Sequence, residues 1–483
     1  MKPDRRCWPI IVLPVLLSVL AACGTRVSDG TEAAAAGPQP ASPAEQIDAP
    51  VPTPAAQPRA TKPAPLDSGK KASVPAPRSA ASAASAPVVT GKASRVSTPS
   101  QPSAPTSTQA SVQASVPKNT DQIVLAANGT YSGPLGFVFT PIVRGTQLWI
   151  KSANSRGGVN GHQVRLIVYD DGGDPVRHRA NAQRAVEQDG AIAFIGNAES
   201  VTGRCCLDYL KSKGVPVVGT DTGEQWVYES PMYFPQGSHG DEMLRVQIGA
   251  VAKQAIPAGK TKLAIITCVE VDICNGAQRV WAGPDASRLG FDKVYLARTS
   301  IAQPDFTAEC LAANNAGAQV ILVGMESASV RRVITACNRQ GYHPMISGPG
   351  LAFKASMADD PAWNNMYSSW PMFPWWQTGT PATDDFQAAV KAFGRGMELT
   401  TGVATGWVAG KLFEKAAADL GKPTSAALLE GLWKIKNDDL GGLTMPLTFV
   451  RNQPPKPRAC GFAMALRDKT WFSPDNFKLS CMN

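Results

Sequence analysis

From Asp121 onward the chain alternates short apolar runs with longer amphipathic stretches. The runs "QIVLAA", "VRLIVYD", "AIAFIG", "VPVVG", "KLAIITC", "KVYLA" and "AQVILVG" are nearly continuous in apolar residues. Such runs, unlike alternating ones, mark strands covered on both faces. Helices are predicted between them, over Val176–Gln188, Gly203–Lys213, Asn275–Arg288, Phe306–Ala316 and Ser327–Arg339. In the last of these, Val330, Val333, Ile334 and Cys337 fall at i, i+3, i+4 and i+7, one face of a helix. The rhythm predicts an α/β fold with parallel central sheets in a doubly wound arrangement. It occurs twice, from Asp121 to about Gly240 and from about Asp241 to Trp370. Three helical stretches between Asp384 and Lys436 follow, then strands near Thr444–Val450 and Gly461–Leu466. The expected organisation is two lobes with crossing connections, the first about 121–240 and 371–447, the second about 241–370 and 448–483.

The first 120 residues have a different pattern. Lys2, Arg5 and Arg6 precede "WPIIVLPVLLSVL" and "LAACG", the layout of a bacterial secretion signal. Leu20-Ala21-Ala22-Cys23 resembles a lipobox, so residues 1–22 are expected to be removed and Cys23 to take a lipid. The apolar segment is short and interrupted by proline, a poor spanning helix. From Gly24 to about Thr120 the chain is Pro, Ala, Ser and Thr with few large apolar residues, a composition that cannot offset the entropy of ordering. Residues 23–120 therefore read as a disordered tether. The expected location is the extracytoplasmic face of the cell membrane, held by lipid.

Charge and cysteines narrow the chemistry. The formal net charge is +9, but the first 120 residues hold 12 of the 47 Lys and Arg and 6 of the 38 Asp and Glu, which leaves 35 against 32 in the body. A balanced body without a basic run offers no nucleic-acid footprint. Of ten cysteines, Cys7 leaves with the signal and Cys23 is lipidated. An even number remains, which in an oxidising compartment reads as disulfides. The expected pairs are Cys268–Cys274, Cys310–Cys337 and Cys460–Cys481. Cys205 and Cys206 are either a vicinal pair or partners of something unassigned.

Enzyme signatures fall short. "AGKTK" ends like a phosphate loop, but Gln254 stands where the leading glycine is required. "QGSHG" around Ser238 resembles a nucleophile elbow, yet Gln236 replaces its first glycine and no strand precedes it. No GxGxxG follows a predicted strand, and neither CxxC nor HxxxH occurs. The stretch "SRGGVNGHQVRLIVYDDGGDP" reads as a helix end, a tight turn and a buried strand leading into a helix. Asp170, Asp171 and Asp174 lack the spacing and closing Glu of a calcium loop. No cofactor, metal or catalytic residue is expected.

The ordered elements "NGTYSGPLG", "NSRGGVNG", "VRLIVYDDGGDP", "FIGNAES" and "GVPVVG", then "PDFTAECLAANNAGAQVILVG" and "VRRVITACNRQGYHP", resemble the branched-chain amino-acid-binding receptors of the type I periplasmic binding protein fold. The resemblance spans most of residues 121–483. It implies a non-enzymatic, monomeric two-lobe receptor that closes on a small polar solute, such as an amino acid, amide or aromatic carboxylate, and serves an ABC permease. A ligand-sensing receptor of the same fold is the alternative, and an exported hydrolase a third. Ser200, ending "FIGNAES", matches the family's serine for a ligand carboxylate and is also a natural helix cap. The loop "GTDTGEQW" offers Asp221 to an amine, Thr222 to a carboxylate and Trp226 as a wall, or is a polar turn. Phe137 or Phe139 falls where the family places an aromatic over the ligand. In the second lobe, Asp272 or Ile273 falls near a family tyrosine, and Glu326 follows "VGM". The acidic residue that holds an α-ammonium is replaced by Gly350. Either Asp221 or Glu326 substitutes for it, or the ligand is not an α-amino acid.

Overall fold

The computed structural model describes residues 121–482. The signal segment, the Cys23 lipidation site and the tether expected from sequence lie outside the described residues. Five strands, β1 (Ile123–Gly129), β2 (Val164–Asp170), β3 (Ala193–Asn197), β4 (Val217–Thr220) and β5 (Tyr233–Phe234), form one parallel sheet in the order β2-β1-β3-β4-β5. Helices α1 (Gly136–Ser155), α2 (Pro175–Glu187) and α3 (Leu207–Lys213) connect them. Asp174 starts α2 by accepting from Val176 N at 2.8 Å, and Pro175 fits the first turn, where no N–H partner is needed.

After β5 the chain crosses to a second sheet through α4 (Gly240–Ala255). Strand β6 (Lys262–Cys268), α5 (Asp272–Trp281), α6 (Pro284–Arg288), β7 (Asp292–Thr299), α7 (Thr307–Asn315), β8 (Val320–Gly324), α8 (Ser327–Arg339), β9 (Met345–Ser347) and β10 (Met366–Trp370) follow. It then returns to pack α9 (Pro381–Phe393), α10 (Thr401–Ala416) and α11 (Ser425–Lys434) beside the first sheet, and crosses again to β11 (Ala459–Arg467), β12 (Thr470–Phe472) and β13 (Leu479–Met482). The second sheet has the order β12-β11-β10-β9-β8-β6-β7, with β13 also on β11. Strands β6 to β10 are parallel, while β11, β12 and β13 add antiparallel pairs.

The three crossings are stitched to one another. A Cβ at Gly237 would lie 2.8 Å from Pro371 Cβ. The Thr444 hydroxyl donates to Gln236 O. Ser238, buried, donates to Cys460 O at 2.6 Å and accepts from Cys460 N at 3.0 Å. Its hydroxyl thus joins two crossing segments.

Three expectations change. Thr444–Val450 is not a strand: its one pairing is an isolated bridge between Leu447 and Asp438. Its apolar residues serve burial instead, with Phe449 edge-on to Phe234 at 5.1 Å. "VRLIVYD" is the edge strand β2 rather than a strand covered on both faces, and Val168 is 40% exposed. The helix expected over Asn275–Arg288 is two helices, broken before Pro284, whose ring cannot continue α5. Cysteine bridges join Cys268 to Cys274, Cys310 to Cys337 and Cys460 to Cys481, and Cys205 and Cys206 are free thiols. No helix among the described residues is long and apolar enough to cross a membrane.

The first sheet is completed by the contact of α1 with α10. A Cβ at Gly145 would come within 2.0 Å of Val403 O, and one at Gly406 within 1.9 Å of Ile142 O. The backbones touch, so neither position admits a side chain without parting the helices. Gly406→Val should therefore lower unfolding stability by about 1–3 kcal/mol in urea titration, the usual penalty of overpacking. Gly421→Ala, which faces open space, should leave the midpoint nearly unchanged.

Candidate functional site

The loops that follow the carboxyl ends of strands in both sheets meet at one cavity of about 150 Å³. From the first sheet come Val138 and Phe139 after β1, Ser200 and Val201 after β3, and Thr222, Gly223 and Glu224 after β4. The second sheet supplies Ile273 after β6, Ile301 after β7, Glu326 after β8 and Leu351 after β9. Met243 on α4 and Trp370 at the end of β10 also face it. Most of these groups are apolar, and no Lys, Arg or His is among the lining residues. A wider groove of about 780 Å³ shares Val138, Ser327 and Leu351 with the cavity and opens outward between α1 and α8. Its cations are largely paired, Arg331 with Asp360 at 2.6 Å and Lys354 with Glu398 at 3.5 Å. The inner cavity is where the strand ends converge, the usual ligand position in open α/β sheets.

Beneath the cavity lies a buried polar network. His178 on α2 bonds Asp171 Oδ2 through Nδ1 at 2.8 Å and Glu199 Oε2 through Nε2 at 3.1 Å. Burial alone favours the neutral ring, but the two carboxylates raise His178 to about 9, so it is an imidazolium at neutral pH. Asp171 also accepts from Thr130 Oγ1, Gly173 N and Thr202 Oγ1, each at 2.7 Å. Burial opposes its ionisation, yet His178 and these donors hold its carboxyl below the usual range. Asn197 donates to Glu199 Oε2 at 3.1 Å and accepts from Asn128 N at 3.1 Å. Together these bonds tie the ends of β1, β2 and β3 to α2. Asp170 accepts from Tyr131 N, Ser132 N and Gly172 N at 3.0–3.2 Å. Asp170, Asp171 and Asp174 thus each serve turns, caps or the histidine. No cluster of His, Cys, Asp or Glu with metal-ligating geometry occurs among the described residues.

Ser200, Thr222, Phe139 and Glu326 line the cavity, but two are already engaged. Asp221 accepts from Ser200 Oγ at 2.7 Å, Ser200 N at 2.9 Å and Gly223 N at 3.1 Å. Asp221 is 2% exposed, and burial pushes its carboxyl up despite those three bonds. The serine expected to receive a ligand carboxylate therefore holds the protein's own. Glu326 caps α8, accepting from Ser329 N at 3.0 Å with both oxygens and pairing with Arg332 at 3.6 Å. Thr222 sits at φ +71, strained for a β-branched residue. Its hydroxyl finds only the Met243 sulfur, at 3.7 Å.

The remaining candidates lie elsewhere. Trp226 is buried in the core beneath the first sheet, edge-on to Tyr233 at 5.4 Å, and is not a cavity wall. Phe137 is 54% exposed on the outer groove. Ile273 lines the cavity and Asp272 does not. At Gly350 a Cβ would meet Ser369 O at 2.8 Å and the Trp370 ring at 3.0 Å, so this position has no room for an acidic side chain.

Sequence reasoning missed Glu224, Met243 and Trp370 in the lining, and His178 and Glu199 beneath it. Glu224 was within sight, two residues past Thr222 in the same loop. It is 6% exposed, and burial, then the charges of Asp221 and Asp272, raise it to about 8 against the pull of Arg204 and Arg279. Cys205 and Cys206 sit one turn beyond Val201 with sulfurs 3.2 Å apart. The hydrogen bond from Cys206 lowers Cys205 to about 7, while Cys206 is raised by the same bond and by burial.

A family model described as periplasmic binding protein matches residues 122–468. An amino acid binding protein of Pseudomonas aeruginosa is 24% identical over 209 residues, 42% of this chain and 54% of that protein. A leucine-, isoleucine-, valine-, threonine- and alanine-binding protein of the same organism is 31% identical over 98 residues, 20% of this chain and 26% of that protein. The matches thus span about half and about a quarter of these two relatives. Among solved structures, a fatty acid ABC transporter substrate-binding protein from Thermomonospora curvata superposes with a TM-score of 0.62 at 18% identity, covering 74% of this chain and 92% of that one.

Two outcomes test this geometry. His178 is raised on folding, so its contribution to stability is complete below its unfolded value of about 6.5 and is lost as pH climbs through about 9. Unfolding free energy should fall over that window by at most on the order of 3 kcal/mol, and His178→Asn should flatten the decline. At pH 7.5, iodoacetamide should label Cys205 well before Cys206, read by peptide mass mapping.

Proposed function

The chain belongs to the periplasmic binding protein family, and on that premise we propose that it is the extracytoplasmic solute receptor of an ABC importer. The observation that carries this reading is a cavity of about 150 Å³ to which loops following strands of both sheets contribute. Closing one sheet's loops onto the other's surrounds a small solute, and the three stitched crossings act as the hinge. The closed form is the state that a membrane permease recognises. The protein binds its solute without altering it: Ser238, the one serine in an elbow-like sequence, has its hydroxyl held between Cys460 N and Cys460 O. A lipid on Cys23 and the spacer of residues 24–120 keep the receptor near its permease while leaving it free to bind in solution.

Ligand recognition rests on Thr222, Glu224 and Phe139 from one side and Ile273 and Trp370 from the other. Apolar walls supply most of the affinity, and the few polar groups orient the solute. Calorimetry against small amines, acids, amides and neutral alcohols should find one saturable ligand class. Val201→Trp, at a cavity-lining position that is 41% exposed, should weaken that ligand at least tenfold with an unchanged melting temperature. Full binding by the folded variant would place the ligand elsewhere.

A further inference from the structure

The inner cavity has two sets of backbone N–H donors that would suit an anion, and both already hold protein carboxylates. Ser200 N and Gly223 N donate to Asp221, and Ser329 N at the start of α8 donates to Glu326. No basic side chain lines the space. One carboxylate there is different. Glu224 is more than nine-tenths buried and faces the cavity. Among the described residues it has neither a hydrogen-bond nor an ion-pair partner within bonding distance, whereas Asp221 and Glu326 are fully engaged. A carboxyl group so buried favours its neutral form until a cation arrives to pair with the charged one. Around it stand Met243, Ile273, Val271 and Trp370, which fit a hydrocarbon group.

Building on the receptor reading above, we infer that the solute is an apolar primary amine without a carboxylate, its ammonium paired with Glu224 and Thr222 Oγ1 and its hydrocarbon part against Ile273 and Trp370. A carboxylate on the ligand would find its natural cradle filled by Asp221 and would face Glu326 as a like charge. The ligand's ammonium stays protonated to about pH 10. Burial and the acidic neighbours Asp221 and Asp272 raise Glu224 to about 8, opposed by Arg204 and Arg279. Glu326 lies across the cavity, and Glu242 on α4 beside Met243 is buried, its carboxyl pushed up by that burial. Pairing with a cation favours the ionised form of Glu224, so binding near neutral pH releases a proton.

The test is calorimetry of the full chain with a matched set: 3-methylbutan-1-amine, 2-phenylethylamine, L-leucine, 4-methylpentanoate and 3-methylbutan-1-ol. One or both amines should bind at least tenfold more tightly than leucine, and the acid should not bind. Titrations at pH 7.5 in buffers of different ionisation enthalpy should show proton release, and amine affinity should fall roughly tenfold per pH unit well below about pH 8. Glu224→Gln should weaken the amine at least tenfold and abolish its pH dependence, while the alcohol binds it no worse. Tighter binding of leucine or the acid, with Val201→Trp still blocking it, overturns the amine assignment and leaves the receptor reading standing. Amine binding without proton release, or equal in a folded Glu224→Gln chain, also overturns it. No binding by any member of this set or of the wider panel overturns both.

Discussion

The first half of the molecule is organised by an imidazolium held between two carboxylates. His178 reaches Asp171 at the end of β2 and Glu199 at the end of β3, and the Thr130 and Thr202 hydroxyls complete Asp171's shell. A buried charge of this kind is tolerated only if every partner is in place, so it fixes three loop origins at once. The Ser200 loop starts one residue after Glu199. Its shape, and so the floor of the cavity, depends on a charge pair that does not itself line the cavity.

The cavity divides its labour between an apolar wall and an uneven distribution of acid. Two carboxylates are held by N–H donors and act as structure, one as the brace of the Ser200 loop and one as the cap of α8. The third, Glu224, has no such support. Residue type alone does not distinguish these roles, since Asp221, Glu224 and Glu326 all sit in loops after strands. What separates them is whether a donor lies within reach. That depends on the backbone path of Gly223 and on the N-terminus of α8, both settled only in three dimensions.

The sheets and most helices were legible because burial imposes a periodicity that single segments display. Ser327–Arg339 has the expected bounds, and the parallel order follows from strand-helix alternation. The mispredicted Thr444–Val450 has the right apolar content for a strand, but pairing needs a neighbour, and periodicity holds no record of one. The candidate site was half legible. Thr222, Phe139 and Ser200 were found through the family resemblance, which places contacts in the loops after these strands. Ser200's engagement with Asp221 was not foreseeable, because a side chain 21 positions away reached it first. Trp226 failed for the ordinary reason that a large aromatic after a strand can turn inward as easily as toward the cleft.

The contact of Gly145 with Val403 and of Gly406 with Ile142 has a further consequence, in the order of events rather than in the finished fold. It joins residues separated by more than 250 positions, so the first sheet stays without its outer helix until α10 has emerged. Loop closure over that distance is slow compared with local helix formation. A chain that leaves the cytoplasm from its N-terminus forward would thus reach the other side before its earliest strands had a complete layer to pack against. Two pairs of touching backbones, distant in sequence, delay the closing of the core until most of the polypeptide is available.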